Sequence, residues 1–157
     1  MEDTETNQNR LMYARLAGMA ALSFIAMYFL MYAMVNSLGD VFNNLNQVYM
    51  AALMAPPMVL IELALMRPMY RQSQWNLAIV IISAVVMVIA FLGIRLQIGV
   101  GDTQLVRSMV PHHSGALLMC REAALEDPQL RELCAKIIAN QQSEIDEMNA
   151  ILSRLAR

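Results

Sequence analysis

Between Leu16 and Ile94 the chain carries only four charged residues, Asp40, Glu62, Arg67 and Arg71, spread over three long apolar stretches. Nothing else constrains the fold as much. A helix needs roughly 20 apolar residues to cross a hydrocarbon core about 30 Å thick. The first stretch, Leu16 to Leu38, is uncharged and exceeds that length. The second, Val48 to Met66, contains Pro56, Pro57 and Glu62, and the third, Leu77 to Ile94, is uncharged. The second and third are short and draw on flanking residues such as Leu96 and Ile98. The first stretch does not read as a cleaved signal peptide. It is too long, Glu2, Asp3 and Glu5 precede it, and no clear small-x-small site follows.

Lys and Arg in the short loops set the orientation of such spans. Arg10 and Arg15 precede the first span, the loop Gly39 to Gln47 has no basic residue, and the second loop has Arg67 and Arg71. Residues 1–15 and the second loop are therefore expected in the cytoplasm. Residues 16–98 form a three-helix membrane region, and residues 102–157 lie outside. Arg95 opposes this order. In a bacterium this orientation is that of an inner-membrane protein with the C-terminal part in the periplasm.

From Asp102 to Arg157 there are fourteen charged residues in 56, a normal soluble density. The net charge of −2 and the lack of a basic stripe argue against nucleic acid as a partner. Asp102 can cap a helix by accepting backbone N–H bonds. Pro111 predicts a kink or restart, because it cannot donate to the residue four back. That helix runs to about Leu125. Asp127-Pro128 marks a turn and a new start, and a second helix runs from about Gln129 to Leu155. Its stripe is Leu130, Cys134, Ile137/Ile138, Gln141, Ile145, Met148, Leu152 and Leu155, at 3-4 spacing with Gln141 as the odd member. The fold class is all-α: three transmembrane helices, then a helical hairpin. A hairpin this small buries little core. It is expected to complete a four-helix bundle with a second copy, or else to lean on its own membrane helices.

The run Ser108 to Cys120, SMVPHHSGALLMC, packs two methionines, two histidines and a cysteine into thirteen residues. Met109, His112, Ala116 and Met119 share one helical stripe, with His113 and Cys120 beside it. Residues equidistant from Asp127 face each other in an antiparallel hairpin. That pairs Cys120 with Cys134 and His113 with Gln141, and brings Met109 opposite Ile145, within reach of Met148. The inner surface is thus expected to gather thioether, imidazole and thiol groups. Thioether and thiolate suit Cu(I), and imidazole suits copper or zinc. This mixture favours copper, or silver by analogy, over calcium and magnesium, which want oxygen ligands. A di-iron site of the ferritin type is disfavoured because Glu-x-x-His is absent. Structural roles compete for each residue. The methionines can be core filler and the histidines hydrogen-bonded structural residues. The cysteines can form a disulfide, share a metal, or stay as buried thiols. Gln141 and Glu144 can orient a histidine or stay solvated.

On MVPHHSGALLMC, DPQLRELCAKII and QQSEIDEM, the chain from Ser108 onward resembles the bacterial "domain of unknown function 305" family. FLMYAMVNSL and VYMAALMAPPMVLIELALM resemble the family's three-span membrane subgroup. The resemblance implies a ferritin-like helical bundle and, for some members, a role near copper handling. It implies His112 and His113 as the family's His pair, Met109 and Met119 as flanking methionines, and Gln141, Glu144 and Met148 as second-helix residues. Members often carry two copies of the hairpin. This chain carries one, which supports dimerisation.

Met50, Met54, Met58, Glu62 and Met66 recur every four residues along the second span, and Met27, Met31 and Met34 do something similar on the first. Such a ladder can pass soft metal ions or simply pack. Glu62 calls for a partner or a pathway, since a carboxylate in a span costs about 2.5–3.5 kcal/mol on insertion scales. The leading expectation is a membrane protein whose hairpin binds copper for tolerance, storage or delivery, with a copper-handling partner protein. The alternatives are a metal-free scaffold and a metal transporter using the second-span ladder. An enzyme is not expected. No nucleophile–base pair, phosphate loop or zinc-protease motif occurs, and the histidines lack an evident carboxylate to orient them.

Overall fold

The computed structural model describes the backbone of residues 2–157 and the side chains of residues 9–157. Of the expected cytoplasmic segment 1–15, the side chains of residues 1–8 therefore lie outside the described residues. The described chain is helical, with no strand. Its long elements are α1 (Glu2–Leu30), α2 (Leu45–Leu65), α3 (Ser73–Leu96), α4 (Asp102–Glu122) and α5 (Pro128–Leu155). Two compact units result, one of residues 1–30 and 48–98, the other of residues 31–47 and 99–157.

The first unit holds three helices long and apolar enough to cross a membrane, over Asn9–Met34, Leu45–Leu65 and Ser73–Leu96. Most of their apolar side chains face outward, among them Leu22, Phe29, Ile61, Ile82 and Ile89. An exposed apolar surface of that extent marks a membrane or protein contact. Pro56 and Pro57 sit inside α2 without ending it. The buried core is Leu16, Val59, Leu63 and Tyr70, flanked by Met12, Tyr13 and Ile79. Further along, Gly93 of α3 admits the Tyr49 ring of α2. A Cβ at Gly93 would meet that ring at 2.8 Å, and the Tyr49 hydroxyl donates to the Ile98 carbonyl at 2.7 Å.

Glu62 has a partner in this unit. The Tyr70 hydroxyl donates a long hydrogen bond to Glu62 Oε1, at 3.4 Å. Burial first, and the Glu62 charge second, push the Tyr70 hydroxyl above its ordinary value. A raised value favours the protonated form. The donor's contribution is therefore complete below the ordinary tyrosine range and is lost as pH rises through the raised one.

The second unit differs from the sequence expectation in one respect that matters. The first span was drawn to Leu38, but α1 ends at Leu30, and 3-10 turns at Met31–Met34 and Leu38–Asp40 follow. Residues 31–47 belong to the hairpin's unit. The hairpin is thus not a bare pair of helices. The Asn36 N–H donates to Ser114 Oγ at 3.0 Å, and Ser114 Oγ donates to Asp40 Oδ2 at 2.6 Å. The Leu45 N–H donates to Gln104 Oε1 at 2.9 Å, and Asn46 Nδ2 donates to Ser108 Oγ at 3.2 Å. Gly115 lets the Met34 carbonyl approach, since a Cβ there would lie 3.3 Å from that oxygen. Phe42 packs on the hairpin core of Val110, Leu117 and Ile145, together with Val106, Ile138 and Met148.

Ser114 is fully buried and is the hinge pin of this arrangement. In a Ser114→Val variant the Asp40 carboxylate and the Asn36 N–H lose their shared partner. A buried polar group left unpaired costs about 1–3 kcal/mol. The expected result is faster proteolytic cleavage within residues 31–47 at unchanged helix content. Cleavage at the parent rate would show that the segment does not depend on Ser114.

Pro111 lies inside α4 without interrupting it, so the expected restart is absent. Asp102 is the first helical residue rather than the cap, which is Gly101. The turn reads as expected: Asp127 caps α5 by accepting from the Leu130 N–H at 2.8 Å, with Pro128 opening the helix.

Candidate functional site

α4 has three working faces. Gln104, Ser108, Pro111 and Gly115 lie one turn apart on the face that residues 31–47 cover, with the Ser114 hydroxyl at its edge. Val106, Val110, His113 and Leu117 face α5. Leu105, Met109, His112, Ala116 and Met119 form the third face, on which Leu105, His112 and Met119 are exposed. The inner surface is therefore apolar around Val110, Leu117 and Ile145; His112 and Met119 are exposed and not part of it, and Met109 is half-buried at its margin. The two histidines separate accordingly. Their rings are 6.0 Å apart, with His112 exposed and the His113 side chain only 12% exposed.

Cys120 and Cys134 form a disulfide, with Cα atoms 5.3 Å apart. Their equal distance from Asp127 predicted the proximity. As a disulfide they offer no thiolate, so neither is a metal ligand in this form.

His113 is where the chemistry concentrates. Its Nδ1 lies 2.9 Å from Glu144 Oε2, the carboxylate that the sequence leaves open between orienting a histidine and staying solvated. The two atoms stand within ion-pair distance without a hydrogen bond between them. Gln141 Oε1 is buried and unpartnered as well. Gln141 and Glu144 are three residues apart and so share one face of α5. The Cys120–Cys134 and His113–Glu144 contacts together fix the hairpin register. In that register Met109, one turn before His113, is level with Met148, one turn after Glu144, about 6 Å along the axis. Met109 and Met148 are both half-buried.

The residues with metal-binding chemistry near His113 are thus one imidazole, one carboxylate, one amide oxygen and two thioethers one turn away. Among the described residues no group of three His, Cys, Asp or Glu is arranged to hold a metal. Imidazole and thioether together form a donor set that suits a soft or borderline ion such as copper. Thioethers would not suit calcium or magnesium.

The second-span ladder is placed differently. Met50, Met54, Met58 and Met66 are all exposed on α2. The cleft between α1, α2 and α3 is lined by residues such as Leu16, Ala20, Ala55 and Ile79, and by none of these methionines.

Residues 96–155 match the family model described as "Domain of unknown function (DUF305)". An "Uncharacterized protein" of Acanthamoeba polyphaga mimivirus is 36% identical over 137 residues, which cover 85% of this chain and 88% of that protein. No solved structure matches the chain. The viral relative's similarity runs well past the hairpin into the long helices, and with the family match over residues 96–155 it shows that the chain belongs to the DUF305 family.

Proposed function

We propose that this chain is a membrane protein whose hairpin binds copper, as Cu(I), for tolerance, storage or delivery. One observation carries the reading: the partly buried His113 has a buried Nδ1 with no hydrogen-bond partner, beside the Glu144 carboxylate and the equally unpartnered Gln141 Oε1. Unpaired buried polar atoms cost about 1–3 kcal/mol each. A cation at this point recovers that cost, and Met109 and Met148 bias the choice toward a soft one. The disulfide supports an oxidising compartment for the hairpin. So does the placement of Arg10, Arg15, Arg67 and Arg71, which favours the cytoplasm for the opposite end. In a bacterium this is the inner membrane with the hairpin in the periplasm.

The test is a competition titration of the full-length, detergent-solubilised protein with Cu(I), supplied with ascorbate against a coloured Cu(I) chelator. One ion per hairpin, or one per pair of hairpins, is expected, with no competition from Ca²⁺ or Mg²⁺. A protein that leaves all the copper with the chelator does not have this function.

A second reading has its own observation. Leu105, Met119, Leu130 and Leu133 are exposed on the hairpin, which suits a face covered by a second copy in a four-helix bundle. The hairpin is then an association module, with or without metal. Association that persists in a protein taking up no copper is the signature of that role alone.

A further inference from the structure

The cleft inside the first unit has a shape and chemistry that the copper reading does not use. Its volume is about 510 Å³, and small side chains, Ala20 on α1 and Ala52 and Ala55 on α2, leave it open against Phe24, Ile79 and Val86. The lining is almost wholly apolar. At one end the cleft meets a second pocket of about 290 Å³, lined by Arg10, Tyr13, Gln72 and Trp75. Tyr13 and Trp75 line both spaces, so the two form one site with an apolar body and a basic mouth.

The mouth is a built one. The Tyr13 hydroxyl donates to Asn76 Oδ1 at 2.8 Å and accepts from the Gln72 N–H at 3.3 Å. Its ring lies 5.4 Å from that of Tyr70 and 6.2 Å from that of Trp75. These contacts tie α1 to the start of α3. The Tyr13 and Trp75 rings are both amphipathic, of the kind that collects between hydrocarbon and water in membrane proteins. The Arg10 guanidinium lies just beyond them. On the orientation argued above this is the cytoplasmic end, facing the leaflet that carries the anionic lipids.

We infer that this site binds one anionic glycerophospholipid, with an acyl chain in the cleft and its phosphate against Arg10. An occupant needs a long apolar segment and a negative head, joined at the depth of Tyr13 and Trp75. Arg10 presents a fork of donors suited to phosphate oxygens. A zwitterionic lipid of the same chain length fits the cleft but places a cationic group near the guanidinium.

The test is native mass spectrometry of the full chain released from detergent, after addition of phosphatidylglycerol or phosphatidylcholine with identical acyl chains. Phosphatidylglycerol is expected to be retained about fivefold better, the discrimination that one arginine at a membrane surface supplies. Arg10→Gln, at an exposed residue, is expected to erase that preference and leave phosphatidylcholine retention unchanged. Ala52→Phe fills the cleft and is expected to reduce retention of both lipids. Its helix content is read in parallel by circular dichroism, and if the variant misfolds the Arg10→Gln result decides alone. Equal retention of the two lipids by the parent protein would mean that bilayer lipid merely solvates the cleft, and would overturn the inference. So would an unchanged preference in Arg10→Gln. Neither result bears on copper, because the hairpin is untouched.

Discussion

His113→Leu is expected to abolish Cu(I) binding while leaving the hairpin as stable as the parent, or slightly more stable. The two halves of that result separate a ligand from a structural histidine. A histidine kept for a core hydrogen bond makes that bond, and replacing it by leucine strips its partner. Here Nδ1 makes none, and only the Glu144 carboxylate, itself 51% exposed, stands beside it. Glu144 can turn to water when the ring goes. Replacing a buried unpaired polar group by an apolar one of similar shape is close to neutral or stabilising. His112→Leu is the control. Its ring is exposed and lies on the face of α4 away from Gln141 and Glu144, so its removal is expected to change Cu(I) affinity less than about twofold. Loss of a ligand costs more than the roughly 10–100-fold typical of a group that merely orients one. The chelator titration and a thermal melt on the same samples read both quantities. A His113→Leu protein that holds copper like the parent removes His113 from the site. One that melts far lower makes the residue structural.

Much of this arrangement was legible in the sequence. Three apolar stretches, the Asp127-Pro128 start and the 3-4 stripe on α5 led directly to the long helices and the hairpin. Symmetry about Asp127 brought Cys120 to Cys134 before any coordinates did. What it missed has one physical source. The sequence treats α4 as a two-faced helix, inner and outer, whereas residues 31–47 cover a third face. That cover leaves His112 and Met119 exposed and His113 as the inward histidine. The signal was present but weak. Asn36, Asp40, Asn44 and Asn46 crowd short polar side chains into one segment; three of them bond through side chain or backbone to α4, and Asn44 bonds within the segment. Neither proline nor glycine marks the break after Leu30. An apolar run of methionines and tyrosines continues through it, so hydropathy alone carried the first span to Leu38, past the end of α1 at Leu30 and of the apolar helical stretch at Met34. Glu144 was read as an orienter or a solvated side chain. One helical position decides between those roles, and the register that settles it comes from packing.

Removing the disulfide is expected to loosen the turn end of the hairpin far more than its other end. Buried side chains thin out toward the turn. Past Leu117 on α4 and before Ile145 on α5, the only buried residue is Cys134. Met119, Leu130 and Leu133 are exposed, so few apolar contacts hold that end closed. The bond closes a loop with a sequence separation of 14, for which chain entropy alone supplies about 3 kcal/mol. Local opening free energies vary along a chain, and here the loss falls where nothing else replaces it. In Cys120→Ser/Cys134→Ser, amide exchange from Leu118 to Leu133 is expected to quicken about 100-fold. Exchange near Val110 and Ile145 should change little, because that core also carries Phe42 and Met148. Hydrogen exchange read by mass spectrometry on the full chain, with and without the pair of substitutions, resolves the two ends. If both ends quicken alike, the hairpin opens as one unit and the disulfide secures all of it. If neither does, the turn holds itself through the Asp127 cap, and the bond is dispensable to the fold.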